Sequence, residues 1–443
     1  MLKKLVRGAL FLIVAGIVVG LVLFLRSDYH RNALPTVSGI TAKQICSMAF
    51  LTGLEPERTR AIYLDPQLDW AADLVKSELD REDRSASASV YGMYRQKAVY
   101  REGLGCTLDH DGALDRSITV PLNVANRALP EAAPDRFDPI QVEEALDRAF
   151  EEPVGGNRNT LAVVVLHNGE VIAERYAQGI DADTPLLGWS MTKSATATLA
   201  GIMALRGEVD VTAKGAVDPP ATPEITLEHL LRMSSGLAID ERNDGTDPSS
   251  LMLWSSPDMA KFAGSRPQRH TPGEVFDYMS GSTNLAMRHL QNRLGDDLAS
   301  QVQGIRDRLF EPLGMASAII EPDTIGTMVG SSYMWATARD WAKLGQLYLD
   351  DGVVDGRRLL DPSWIEAVGQ RSADSENYGM GFWLYRRSEA LPNVLDMDGF
   401  QGQNVVIVPS HSLVIARLGA TNRTDPGVSR LVKDLVEIVS ADE

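Results

Sequence analysis

The chain of 443 residues carries 60 acidic and 43 basic side chains, a formal charge of −17, with 44% hydrophobic and 23% charged residues. That balance supports a large buried core and argues against a disordered chain. It also repels nucleic-acid phosphates, so nucleic acid is not an expected partner. Seven histidines without a His-Glu-x-x-His pair, and only two cysteines, leave no pattern for a metal site, and no cofactor is expected.

The first feature in chain order is the apolar run LVRGALFLIVAGIVVGLVLFL, Leu5 to Leu25, long enough to cross about 30 Å of hydrocarbon. Lys3, Lys4 and Arg7 precede it, so the positive-inside rule keeps the N-terminus in the cytoplasm and sends the remainder to the periplasm or another extracytoplasmic space. A cleaved signal peptide is the competing reading, but LRSDYHRNALP offers no small-x-small cleavage site. Gly16 and Gly20 form a Gly-x-x-x-Gly pair of the kind found at helix–helix contacts. The expectation is a single-pass anchor in the cytoplasmic membrane over residues 1–26.

Residues 27–135 read as a linker, RSDYHRNALPTVSG, and then a small pre-domain. In the latter, SVYGMYRQKAVYREGLGCTL suggests two strands about a polar turn. Cys46 and Cys106 flank this unit, and in an oxidising compartment they are expected to pair. The Pro- and Ala-rich ANRALPEAAPDRFDP marks a boundary, and the main domain spans 136–443. It opens with an amphipathic helix carrying Ile140, Val142, Ala145, Leu146 and Phe150, then a hairpin through Asn168-Gly169. Strands return as YGMGFWLYRR, LDMDGF and NVVIVPSHSLVIARLGA before a closing helix. Strands at both ends with helices between give an α+β fold, one antiparallel sheet flanked by helices and joined to a mostly helical region.

The chemistry concentrates in Gly188-Trp189-Ser190-Met191-Thr192-Lys193, at the start of a long small-residue helix. A serine at a helix N-terminus sits where negative charge is favoured. A lysine three residues on shares its face, and burial would bring that lysine toward neutrality so that it takes the serine proton. Tyr278, in His270-Thr271-Pro272-Gly273-Glu274-Val275-Phe276-Asp277-Tyr278-Met279-Ser280, is a candidate proton relay if nearby positive charge lowers its ordinary pKa of about 10. His270 reads as a loop residue, since no Gly-x-Ser-x-Gly elbow accompanies it. In Asp396-Met397-Asp398-Gly399-Phe400-Gln401-Gly402-Gln403 the glycines permit close approach of a ligand, and the Phe400 N–H with that of Ser190 would make an oxyanion hole. Trp189, Met191, Trp335 and Trp383 are either pocket lining or core.

These three motifs in this order resemble the serine β-lactamase and penicillin-recognising family, in its class C β-lactamase, D-alanyl-D-alanine carboxypeptidase and esterase branch. The phrases ITLEHLLRMSSGL, HTPGEVFDYMS, LFEPLGM and SSYMWATARDWAKLGQLYLDDG extend the likeness over residues 136–440. The resemblance implies that Ser190 and Lys193 are its Ser-x-x-Lys pair and Tyr278 its Tyr-x-Asn tyrosine, with Ser280 where the family has Asn. Met397-Asp398-Gly399 stands where the family has Lys/His-Thr-Gly, and a Met and a carboxylate there would repel a substrate carboxylate. The GEVFDY and Gly-Phe-x-Gly-Gln phrases look most like aminohexanoate-dimer hydrolases. The implied activity is hydrolysis of a small-molecule or short-peptide amide or ester through an acyl-serine. A catalytically weak penicillin-binding-like sensor or cell-envelope binding protein is the alternative.

Overall fold

The computed structural model describes residues 2–121, 123–217 and 223–441. The outermost ends of the anchor and main-domain segments read from the sequence, Met1 and residues 442–443, lie outside them. The first helix, α1, covers Leu2–Arg26, and within it Val6–Phe24 is long and apolar enough to cross a membrane. Its described apolar side chains are exposed, Phe11 and Leu12 each at 72%.

The stretch expected to be a linker is instead helical: α2 spans Asp28–Ser47, capped by Ser27. It is held by packing rather than by an apolar stripe. Thr36, Ser38 and Thr41 are buried, and each returns its hydroxyl to the carbonyl four residues back, at 2.8 to 3.1 Å. Beside α2 lies an antiparallel sheet, β1 (Val75–Asp80), β2 (Ser85–Val90), β3 (Met93–Arg101) and β4 (Gly105–Leu108), paired in that order. The expected strand pair is therefore part of four strands, and Cys106 sits on the last of them. The Cys46–Cys106 disulfide is formed and ties α2 to β4.

Helix α3 (Pro139–Phe150) buries Val142, Ala145, Leu146 and Ala149, while Ile140 is left 68% exposed on the opposite face. Then come β5 (Thr160–His167) and β6 (Glu170–Tyr176), joined by the foreseen turn. Asn168 and Gly169 both have positive φ, 51° and 79°, as a two-residue hairpin of the primed type requires. Helix α4 (Met191–Leu205) is buried throughout its first 13 residues, and α5 (Ser280–Gln291) and α6 (Ala338–Leu349) follow. The last strands are β7 (Leu395–Gly399), β8 (Gln403–Val408) and β9 (Leu413–Gly419), before the closing helix α7 (Val428–Ser440).

The main sheet runs β7-β8-β9-β5-β6, all antiparallel, so the two ends of the domain meet at β9 and β5. Period-two alternation sorts its side chains. Val163, Val165, Val406 and Ile415 pack on α3 and α7, and Ala162, Val164, Val405 and Val414 join the core beneath, with Trp341 and Leu344 of α6. That inner core is continuous with Ile45, Cys46 and Leu104 of the N-terminal region. YGMGFWLYRR, expected as a strand, is irregular. Gly381, at φ 82°, turns the chain onto α4, where its carbonyl accepts from Ser194 at 2.6 Å, and Trp383 alone bridges to Asp396.

Candidate active site

Ser190 is the N-cap of α4. The approach to it is tight: Trp189 has φ 48°, a rare conformation for a bulky residue and a point of stored strain. The next three N–H groups fold back onto the carbonyls of Gly188, Trp189 and Ser190 at 3.0 to 3.1 Å. The free donors expected at this helix start are thus spent on the turn itself, leaving the N–H of Ser190 as the donor nearest its own hydroxyl.

Lys193 lies one turn along, buried at 2% exposure. Its Nζ donates to Ser190 Oγ at 3.0 Å, to Ser280 Oγ at 3.1 Å and to the Ser331 carbonyl at 3.1 Å. Burial lowers its pKa to about 8, against a smaller opposing pull from Glu241. The expected drift toward neutrality is therefore present, and its cause is desolvation.

Tyr278 is hydrogen-bonded to the Ser190 hydroxyl, and its ring centroid lies 4.9 Å from Lys193 Nζ. The phenol is not acidified. Burial, then Tyr378 and Glu241, push its pKa well above the ordinary value, and the bond to Ser190 offsets only part of that. The expectation of a lowered tyrosine pKa fails because the one nearby cation is itself partly discharged by the same burial. Tyr278 is held as a neutral phenol, flanked by Trp383 at 5.1 Å and Tyr378 at 5.7 Å between centroids.

Ser280, in the position where an Asn was expected, bridges Lys193 to a carboxylate. Its Oγ donates to Glu241 Oε1 at 3.1 Å and its N–H to Oε2 at 2.5 Å, while Ser249 donates to Oε2 at 2.9 Å. Glu241 and Ser331 escaped the sequence reading. Glu241 follows the phrase ITLEHLLRMSSGL by four residues and Ser331 opens SSYMWATARDWAKLGQLYLDDG, but nothing local marks a carboxylate that reaches the lysine through another side chain, or a carbonyl that accepts from it.

The β7 edge closes the other side. A Cβ on Gly399 would lie 2.3 Å from the Gly188 carbonyl, so only glycine lets the strand end press on the turn that carries Ser190. Phe400 follows, its ring 5.6 Å from that of Trp189. Gln401, at φ 61°, accepts from Trp189 Nε1 at 3.1 Å and donates to the Tyr63 carbonyl at 3.1 Å. Asp398 faces the cleft, but Met397 does not: it is fully buried on the inner face. Strand alternation pairs Asp398 with Asp396 instead, and Asn404 donates to both, at 3.2 and 3.0 Å. Burial raises the pKa of Asp398, and a hydrogen bond from Tyr385 opposes it. The resulting cleft of about 210 Å³ brings together Ser190, Tyr278, Ser280, Asp398, Phe400, Glu241, Trp189, Trp254 and Trp383, with Gln67 reaching in from the N-terminal region. Met191 and Trp335 are core, and His270 lies in an irregular segment outside the cleft.

A 6-aminohexanoate-dimer hydrolase of Paenarthrobacter ureafaciens is 26% identical over 345 residues, 66% of this chain and 82% of its own. Penicillin-binding protein 4 of Amycolatopsis lactamdurans is 25% identical over 57% of this chain and 74% of its own. Among solved structures, a Bacillus anthracis protein provisionally named a 6-aminohexanoate-dimer hydrolase superposes with a TM-score of 0.58 at 21% identity, covering 72% of this chain and 89% of that one, a likeness of fold. The sequence profile of the β-lactamase family matches residues 146–439, well over half of the chain, and the protein belongs to that family of serine hydrolases.

Proposed function

We propose that the protein hydrolyses an amide or ester through an acyl-Ser190 intermediate. The observation that carries this reading is the buried Lys193, partly discharged, with its Nζ 3.0 Å from Ser190 Oγ. The neutral amine takes the hydroxyl proton as Ser190 Oγ attacks the carbonyl carbon. The N–H groups of Ser190 and Phe400 receive the oxyanion. On collapse, the leaving nitrogen or oxygen takes the Tyr278 proton, and the Lys193 ammonium reprotonates Tyr278 through the Ser190 site. Water then attacks the ester carbon as Lys193 accepts its proton, and the acyl–Oγ bond breaks with Ser190 Oγ retaking that proton and the free acid released. No step calls for a metal or cofactor.

Asp398 and Glu241 give the cleft two carboxylates, and we assign to it neutral or amino-bearing substrates rather than those recognised by a carboxylate. We further read Val6–Phe24 as a single-pass anchor in the cytoplasmic membrane, with the hydrolase on the outer side; resistance of the protein to alkaline carbonate extraction tests it.

The test of the chemistry is intact-mass analysis of the full chain after exposure to a fluorophosphonate and to a short activated ester, with Ser190→Ala alongside. A single adduct that is absent from the variant, together with ester turnover, supports the assignment. Labelling without turnover would favour a sensor, and no labelling would remove Ser190 from the mechanism.

A further inference from the structure

Beside the catalytic cleft lies a second groove of about 270 Å³. The two adjoin, with Gln67, Asn243 and Trp254 lining both. The far walls are Val37 and Ile40 of α2 with Leu68 and Trp70 from the segment after it. All four precede residue 146, where the family match begins, so the N-terminal region supplies this wall.

The groove is built rather than incidental. A Cβ on Gly39 would stand 2.3 Å from the Trp254 carbonyl, so α2 lies in backbone contact with the Pro248–Ser255 helix that carries the shared tryptophan. Its charged residues are engaged with one another or with neighbours: Asp69 pairs with Arg423 at 2.9 Å and Asp244 with Arg242 at 2.9 Å. The aliphatic and indole surface of Val37, Ile40, Leu68, Trp70 and Trp254 runs alongside the uncharged polar groups of Thr36, Gln67, Asn243 and Ser250, and Trp70 is 62% exposed at the lip. An exposed indole at the mouth of such a groove is a surface that gains by being covered.

We propose that this groove is a substrate subsite that receives a linear aliphatic arm of the amide or ester while its carbonyl lies at Ser190. The inference rests on the hydrolase reading for the second half of that statement only. It explains why a hydrolase of this family carries its N-terminal region packed into the cleft instead of held apart on a tether: that region completes the binding surface.

Binding is measured to the full-length Ser190→Ala chain in amphipol, where turnover plays no part, by the quenching of indole fluorescence. The probes are N-octylacetamide and N-methylnonanamide, which carry an eight-carbon chain on the nitrogen and on the carbonyl carbon respectively, against N-methylacetamide. At about threefold to fourfold per buried methylene, three covered methylenes give about thirtyfold tighter binding of one octyl probe. Trp70→Ala, at an exposed site, and Val37→Lys, which places a charge in the channel, should each cut that preference at least fivefold. Equal affinity for long and short probes overturns the subsite, as does a chain-length preference that survives both substitutions. If the preference is present but the wild-type chain turns over no amide or ester, the groove stands and the hydrolase reading falls. The source of the arm is separated by a hexadecyl amide in phosphatidylcholine vesicles: tighter binding than the octyl probe identifies a membrane-derived chain, and weaker binding a soluble one, both with the subsite intact.

Discussion

Glu241→Gln tests the electrostatics of the site directly. Lys193 acts as a base only when neutral, so kcat/KM rises with pH through its pKa, near 8 in the wild-type chain. Glu241 is the charge that pulls this value upward against burial. Removing its charge makes the ammonium less stable, lowers the lysine pKa and moves the acid limb to lower pH. The carboxylate reaches Lys193 through Ser280 by two hydrogen bonds of 3.1 Å each, which puts the charges about 6 Å apart; at an effective dielectric of 20 the pair is worth about 3 kcal/mol. Glu241 is partly exposed, so screening reduces this, and a displacement of about one pH unit is expected. The assay is kcat/KM for a short p-nitrophenyl ester on the full chain from pH 5 to 10. A plateau that drops with its midpoint unmoved would mean that Glu241 only shapes the pocket, and an upward displacement would refute the sign of the argument.

Tyr278→Phe should lower kcat by about a hundredfold, and because the wild-type phenol is held well above its ordinary pKa, no basic limb belonging to it appears below pH 10. A basic limb near pH 9 that disappears in the variant would show a phenolate and contradict this. Asp398→Asn should raise kcat/KM for a succinyl ester relative to its uncharged analogue by about tenfold, the effect of removing one partly screened like charge; an unchanged ratio removes Asp398 from substrate selection. Lys43→Met leaves the buried Glu321 without its cation and should cost about 3–5 kcal/mol in denaturant unfolding. The double variant Lys43→Met/Glu321→Gln should recover much of that loss, and strict additivity of the two would argue against a coupled pair.

What the sequence disclosed about the site was what is local in the chain. The Ser190–Lys193 spacing fixes a geometry within one helical turn, and the Asn168-Gly169 turn fixes a register, so both could be read directly. Glu241 and Ser331 come to Lys193 from distant segments, and only the packing of α4 against α5 and its neighbours reveals them. As a linear motif Met397 and Asp398 share the cleft, whereas a strand sends neighbours to opposite faces and buries the methionine. The tyrosine pKa departs from expectation because the burial that discharges Lys193 also destabilises a phenolate, so the two shifts come together. α2 was hidden by its composition. In its first half, beside Ala33 and Leu34, the buried residues are Thr36, Ser38 and Gly39, small and polar enough to resemble a linker, with hydroxyls satisfied by internal bonds to carbonyls that no hydropathy pattern displays.

Glu321 shows how closely the N-terminal region and the catalytic turn are joined. Its carboxylate is fully buried and accepts from four donors on three elements of the fold: Lys43 and Ser47 of α2, the Cys106 N–H of β4 at 2.6 Å, and Trp335 Nε1 at 2.7 Å. Trp335 lies on the short strand Met334–Ala336, which pairs with Leu186–Leu187, and the carbonyl of Met334 accepts from the Gly188 N–H at 2.9 Å. Two residues on from Gly188 is Ser190. A second route runs from the Tyr63 carbonyl through Gln401 to Trp189, reaching the Ser190 turn from the Phe400 side. A region that served only to hold the hydrolase away from a membrane would have no need of a buried carboxylate shared with the catalytic core, since such a group costs several kcal/mol of desolvation before its partners return any of it. Both routes end on residues 188–189, the strained turn that aims the serine, and strain of that kind persists only where the surroundings over-determine the backbone. The N-terminal region therefore acts on the site in two ways: as a wall of the groove, and as the brace that keeps Trp189 at positive φ.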